Sequence, residues 1–166
     1  GGLKSTENWL KTLSKALVEF KPYLGQSNYL HKHLTELSAL STQGHDWLSQ
    51  SYDFLAKNVA WDEEELSGGR RHRFVQGIIP DELLAMTQEL KIIFTTLCRL
   101  LDDFRLEVTK AVDEKSDCGL SKEEGEQWFP VFGSLCDRAE NTLSLWQFYS
   151  RAQTADGIPN ARWLVL

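Results

Sequence analysis

The chain has 166 residues, 42% of them hydrophobic and 25% charged, which is typical of a folded globular protein and excludes a disordered segment. Its net charge of −6 disfavours nucleic acid and anionic membranes as partners. No apolar run approaches the roughly 20 residues of a transmembrane helix, so we predict no membrane span. We expect residues 1–166 to form one domain of a longer protein, with Gly1 and Gly2 as a cloning remnant.

The first half of the chain predicts two amphipathic helices. Apolar residues recur every three or four positions from Ser5 to Leu24, as on the buried face of a helix. The same spacing predicts a second helix from Tyr29 onwards. Gly44 leaves two outcomes open, a break at that residue or a continuous helix to Val59.

The strongest helical pattern begins at Pro80, a residue that suits the first turn of a helix. No glycine or proline interrupts this pattern before Cys118. We predict a helix of about 30 residues there, the longest element of the fold. Leu90, Ile93 and Leu97 are expected to be fully buried in it.

A last helical region is predicted over residues 122–152, with Pro130 and Gly133 as expected points of kinking or division. Long amphipathic helices with short connections predict an all-α fold. We expect a single-domain antiparallel helical bundle of about five helices, with one long central helix and essentially no β-sheet.

The segment DEKSDCGLSKEE, residues 113–124, has acidic residues at its first, fifth and twelfth positions, as a calcium-binding EF-hand loop does. Lys115, however, stands where the third ligand belongs, and Cys118 stands where the loop needs glycine. Ser121 and Glu124 instead form the pattern of a helix capping box. We therefore predict a capped turn between two helices and no metal site.

The segment LLDDFRLE, residues 100–107, resembles the Asp-rich magnesium-binding segment of terpenoid synthases. The resemblance implies Asp102, Asp103 and Glu107 as ligands of magnesium ions that clamp a diphosphate. Adjacent aspartates point about 100° apart on a helix, so we favour a solvated helix face.

The histidines and cysteines give no spacing typical of a metal site or a disulfide framework. We interpret the histidines as structural or exposed side chains: His31, His33, His45 and His72. We interpret the cysteines as reduced thiols of a cytoplasmic protein: Cys98, Cys118 and Cys136. We predict neither a metal nor another cofactor.

A basic cluster follows Gly68 and Gly69 in a segment that we interpret as a polar loop. Arg70, Arg71 and Arg73 are candidates for binding an acidic or phosphorylated protein partner. The acidic run just upstream, residues 62–65, leaves open a loop whose charge is neutralised locally.

The chain contains six tryptophans, and we favour core packing for most of this aromatic content. In the last helix, Leu143 and Trp146 lie on the stripe expected to face the core. Leu145 and Phe148 lie off that stripe. Aromatic side chains are enriched where proteins bind each other, so we predict Leu145 and Phe148 as partner-binding residues.

No nucleophile–base pair, phosphate loop or metal constellation indicates an enzyme. The leading hypothesis is a non-catalytic helical interaction module, an adaptor or scaffold, that presents an aromatic helix face and a basic loop to a protein partner. The alternative is a helical bundle that binds a lipid or another apolar ligand. A magnesium-dependent enzyme that uses the Asp-rich helix end is a distant third hypothesis.

Overall fold

The structure is a computed structural model that describes residues 2–25, 28–59, 71–74, 78–117, 119–151 and 163–165. Its elements in chain order are helix α1 (Gly2–Phe20), a 3₁₀ turn (Lys21–Tyr23), helix α2 (Leu30–Asn58), strand β1 (Arg71–Arg73), helix α3 (Asp81–Val112), helix α4 (Lys122–Tyr149) and strand β2 (Trp163–Val165). The α-helices pack together as a bundle, which confirms the all-α prediction. The described residues form four such helices, so the predicted number of about five is wrong.

Gly44 lies inside α2 and does not interrupt it, which is one reason for the smaller number of helices. The residue is buried against α1, where a Cβ atom would come within 3.0 Å of the Leu10 Cδ1 atom. Gly44 therefore allows α1 and α2 to approach each other closely, and its conformational freedom is not used to end the helix.

Pro130 and Gly133 likewise lie inside a single continuous helix, α4. A proline removes the hydrogen bond that the carbonyl group four residues earlier would accept. That carbonyl group belongs to Glu126, and both Glu126 and Pro130 are exposed. Because water can satisfy an exposed carbonyl group, the helix continues through the proline, and the predicted division does not occur.

Helix α3 is the longest element, with 32 residues, as predicted. Asp81 and Glu82 occupy its first turn, where carboxylates complement the positive end of the helix dipole. Leu90, Ile93 and Leu97 are at most 3% exposed, which confirms them as core residues.

The turn between α3 and α4 ends one helix and caps the next. Asp113 follows the last residue of α3, and both Glu114 and Gly119 adopt the left-handed backbone conformation, with φ angles of 58° and 81°. The Glu124 N–H group donates to the Ser121 Oγ atom at 3.1 Å, and the Ser121 N–H group donates to the Glu124 Oε2 atom at 2.9 Å. These two bonds are the predicted capping box.

Successive helices of the bundle run antiparallel, and α4 packs back against α1. Across the α2–α3 seam, Tyr29 bonds to Glu107 near one end, and Ser51 contacts Met86 near the other. Short connections join α1 to α2 and α3 to α4, and short connections are typical of antiparallel neighbours. The order of the helices around the bundle is therefore the order in the chain.

A short antiparallel strand pair, β1 with β2, accompanies the helices. Arg71 pairs with Val165, and Arg73 pairs with Trp163. The pair has only three residues in each strand, so the prediction of essentially no β-sheet holds for the described residues. The pairing itself was not predicted, because the two strands lie far apart in the chain and local periodicity does not reveal it. The pair links the segment before α3 to the end of the chain, and β2 contacts α1.

Aromatic side chains fill much of the core. The Phe20 ring contacts the rings of Trp128 and Phe132, with centroids 5.0 and 4.9 Å apart in edge-to-face geometry. Trp9, Trp128 and Trp146 are at most 5% exposed. These three tryptophans are therefore core side chains, as the favoured interpretation of the aromatic content predicted.

Candidate functional site

The predicted residues Leu145 and Phe148 lie on the last two turns of α4, and both are partly exposed. Trp146 between them is 2% exposed, as expected, whereas Leu143 is only partly buried. The Phe148 ring stands edge-to-face against the Tyr149 ring, with centroids 5.6 Å apart. This end of α4 therefore presents apolar surface beside the core stripe.

An open groove of about 450 Å³ lies between α1 and α4 and includes Leu145; we call it the Leu145 groove. One wall comes from α4 and is lined by Arg138, Asn141, Thr142 and Leu145. The other wall comes from the first turns of α1 and is lined by Gly2, Ser5, Thr6 and Trp9. The α4 residues follow a spacing of three or four, so a single helix face supplies that wall.

Two indole N–H groups form hydrogen bonds that hold α1 and α4 together beside the Leu145 groove. The Trp9 Nε1 atom donates to the Leu135 carbonyl oxygen at 3.3 Å. The Trp146 Nε1 atom donates to the Thr6 Oγ1 atom at 3.2 Å. Both bonds cross between α1 and α4, and both indoles are buried, so the groove stands on a rigid apolar base.

The predicted basic loop is in part a strand. Arg71 and Arg73 belong to β1, where they are paired along the backbone with β2. Arg70 lies outside the described residues. The structure therefore fixes the backbone at two of the three predicted arginines, and the role of the three in partner binding stays a prediction.

A second open groove, also about 450 Å³, lies at the opposite end of the α1–α4 seam; we call it the Trp128 groove. Its lining residues are Glu19, Tyr23, Gln127, Trp128 and Val131. The Gln127 Nε2 atom donates to the Tyr23 Oη atom at 3.4 Å. The Trp128 Nε1 atom is fully buried and has no acceptor among the described residues. Because this N–H group is closed off from the groove, it is not available to a ligand there.

The three acidic residues of the Asp-rich segment have separate partners. The Asp102 Oδ1 atom is 2.8 Å from the Arg105 Nη2 atom, and the Asp103 Oδ2 atom is 2.8 Å from the His33 Nε2 atom. Glu107 is only 3% exposed and points into the α2–α3 seam. The segment therefore does not gather its three carboxylates at one point.

Glu107 forms the centre of a small polar cluster between α2 and α3. Its Oε1 atom accepts hydrogen bonds from the Tyr29 Oη atom at 3.0 Å and from the Lys110 Nζ atom at 2.9 Å. Its Oε2 atom has no partner among the described residues. Pairing with a lysine is what allows a carboxylate to be buried, so we assign Glu107 a structural role.

The thiols of Cys98, in α3, and Cys136, in α4, are expected to react slowly. Burial raises the pKa of the Cys98 thiol from 9.0 to about 11 and that of the Cys136 thiol to about 12. The main cause is the loss of solvation of the thiolate, and for Cys98 the carboxylates of Glu140 and Asp102 act in the same direction. Thiols of this kind are poor nucleophiles at neutral pH. Cys118 lies outside the described residues.

Within the described residues, no three His, Cys, Asp or Glu side chains are grouped so that they could hold a metal ion. No helix in that part of the chain has both the length and the apolar content needed to cross a membrane.

The chain matches no protein-family model, no curated protein and no solved structure.

The sequence prediction missed Arg138 and Trp9, which complete the Leu145 groove. Arg138 could have been predicted from the sequence, because it lies seven residues before Leu145 and therefore shares a face of α4 with it. No local signal links Trp9 to α4, since α1 meets α4 only through the packing of the whole bundle.

Proposed function

We propose that this chain is a non-catalytic helical interaction module, of the adaptor or scaffold type, whose Leu145 groove receives apolar side chains of a protein partner. One observation carries the proposal. Leu145 is partly exposed in an open groove that includes the buried indole of Trp9. Partly exposed aromatic and aliphatic side chains on a rigid base are typical of surfaces that bind helices or peptides.

A lipid or another apolar ligand remains the alternative proposal. Sites for small molecules usually enclose about 70–90% of the ligand surface. The two grooves of the α1–α4 seam are open to solvent instead, which favours the side chains of a partner over a free lipid chain.

The non-catalytic role is supported by the separate partners of the three carboxylates in the Asp-rich segment. Asp102 and Asp103 are each engaged in a separate ion pair or hydrogen bond, and Glu107 is buried beside a lysine. A magnesium-dependent enzyme therefore remains the third and least favoured proposal. The cytoplasmic location inferred from the cysteine spacing stays a prediction.

The proposal is tested by exchanging Leu145, which lines the groove, and Phe148, which lies about one turn further along α4, for alanine and comparing both variants with a matched control. Phe129 is a phenylalanine of the same helix that is 49% exposed and lies far from the Leu145 groove. We expect Leu145→Ala and Phe148→Ala each to weaken binding of a partner protein that the immobilised chain captures, measured by calorimetry, while the melting temperature falls by only a few degrees. Phe129→Ala should leave affinity unchanged. An equal loss from Phe129→Ala, or none from Phe148→Ala and Leu145→Ala, would contradict the proposal.

The basic segment is a separate part of the same proposal. Arg70, Arg71 and Arg73 are proposed to steer an acidic or phosphorylated partner, because a protein of net charge −6 would orient such a partner by its basic cluster. Changing all three to glutamate should slow association at low salt. Unchanged affinity at low salt, where surface charge acts most strongly, would remove the segment from the binding surface.

A further inference from the structure

We propose that the Leu145 groove recognises an acidic peptide segment of the partner, in which an Asp or Glu lies close to a large apolar side chain, and that Arg138 binds the carboxylate. This inference rests on the proposed function and adds the chemistry of the partner to it.

Arg138 is the cation of the groove. It is exposed, it lies two turns before Leu145 on the same face of α4, and it forms no ion pair with a described residue. An arginine guanidinium presents a planar fork of N–H groups that matches the two oxygens of a carboxylate. Arg138 is therefore available to bind an acidic side chain that enters the groove.

The rest of the polar lining agrees with a negatively charged occupant. None of the residues that line the groove in the described part of the chain is Asp or Glu, although the chain as a whole carries a net charge of −6. The hydroxyl groups of Thr6 and Thr142 donate to carbonyl oxygens of their own helices, at 2.6 and 2.8 Å, so their protons are not available to a carboxylate. Ser5 and Asn141 supply the further O–H and N–H groups that a carboxylate can accept from.

A carboxylate alone would bind to Arg138 only weakly, so the expected peptide also needs a large side chain that covers the apolar part of the groove. Surface ion pairs in water contribute little, because solvent and salt screen them. Leu145 is partly exposed and provides apolar surface beside Arg138, above the buried indole of Trp9. A partner side chain that covers this surface would exclude water and strengthen the neighbouring ion pair. The expected segment therefore combines an acidic residue with a large apolar residue.

The test uses random dodecapeptides displayed on phage and selected on the intact protein. We expect the selected peptides to combine Asp or Glu with large apolar residues. Arg138→Gln keeps most of the side-chain stem and should weaken a selected acidic peptide about tenfold, because the charge-assisted contact that it removes is shielded from water by the bound apolar side chain. Asn141→Asp, which adds a negative charge to the same wall, should weaken it as well. Arg99→Gln is the control, since Arg99 is an exposed arginine of α3, outside the groove.

The outcomes separate this inference from the proposed function. Selection of apolar peptides without acidic residues, whose binding Leu145→Ala weakens and Arg138→Gln does not, would overturn the inference and leave the function standing. Equal weakening by Arg99→Gln would also overturn it, because net charge alone would then explain the effect. If no selected peptide loses affinity in the Leu145→Ala variant, both the inference and the proposed function are overturned. Arg138-dependent binding to phosphatidylglycerol vesicles without peptide binding would replace the peptide by a lipid headgroup.

Discussion

Helices α3 and α4 approach each other closely at Gly125, in the first turns of α4. A Cβ atom at this position would lie 2.8 Å from the Ala111 Cβ atom and 2.9 Å from the Val112 backbone nitrogen. Neither neighbour can rotate away, because one is a methyl group fixed to the backbone and the other is the backbone itself. Gly125→Ala therefore forces α3 and α4 apart. Gly133, in the same helix, has no atom within 4 Å of its added Cβ and serves as the matched control.

The magnitude follows from two opposing terms. Replacing glycine by alanine inside a helix stabilises it by about 1 kcal/mol. The methyl group at position 125 would have to gain roughly 1 Å of separation to reach an ordinary carbon–carbon contact, and such overpacking costs about 1–3 kcal/mol. We therefore expect Gly133→Ala to stabilise the protein by about 1 kcal/mol. Gly125→Ala should give a result between no change and a loss of about 2 kcal/mol.

Guanidinium unfolding of both variants, followed by the helical circular dichroism signal, measures the two free energies. Their difference, about 1–3 kcal/mol, isolates the cost of the contact, because the change in helix propensity is common to both. In a thermal scan, the difference should appear as roughly 2–4 °C for each kcal/mol in a chain of this size. Equal stability of the two variants would refute the close approach of α3 and α4 at Gly125.

Three further predictions concern the core, the turn and the thiols. Leu97→Ala should cost about 2–5 kcal/mol in urea unfolding, since Leu97 is fully buried; a loss below about 0.5 kcal/mol would place it at the surface. Ser121→Ala should cost about 0.5–2 kcal/mol through the lost cap. Millimolar calcium should not change that loss, whereas a calcium-dependent rise in melting temperature would contradict the capped turn. In a Cys118→Ser protein at pH 8, Cys98 and Cys136 should react with a thiol reagent at least about 100-fold more slowly when folded than when unfolded, because burial raises both pKa values and leaves little thiolate. The rate should rise as the pH approaches those pKa values, and equal rates in both states would show that the thiols are not buried.

Elements with strong local signals were predictable from the sequence. The period of apolar residues located α3 and its buried leucines, and the Ser121–Glu124 pattern located the start of α4. The number of helices was not predictable in this way. Whether Gly44 breaks a helix depends on Leu10 across the bundle, and whether Pro130 does so depends on the exposure of the Glu126 carbonyl group.

Only part of the candidate site was predictable from the sequence, again because the rest depends on tertiary packing. Leu145 and Phe148 could be singled out because they lie off the core stripe of a single helix. The groove around Leu145 also needs Trp9 and Arg138, and the α1 wall exists only once α1 and α4 have packed together. The strand position of Arg71 and Arg73 depends on pairing with a distant segment, which no local pattern carries.

The indole N–H groups of Trp9, Trp128 and Trp146 differ in their hydrogen bonding, so they can serve as spectroscopic reporters. Trp9 donates to a carbonyl oxygen, Trp146 donates to a hydroxyl oxygen, and Trp128 has no acceptor among the described residues. Hydrogen bonding shifts the proton resonance of an indole N–H group downfield, so these three groups should give separate signals in a proton–nitrogen NMR spectrum. Trp9 lines one groove of the α1–α4 seam and Trp128 lines the other. A titration followed at these two signals would show directly which end of the seam a ligand occupies.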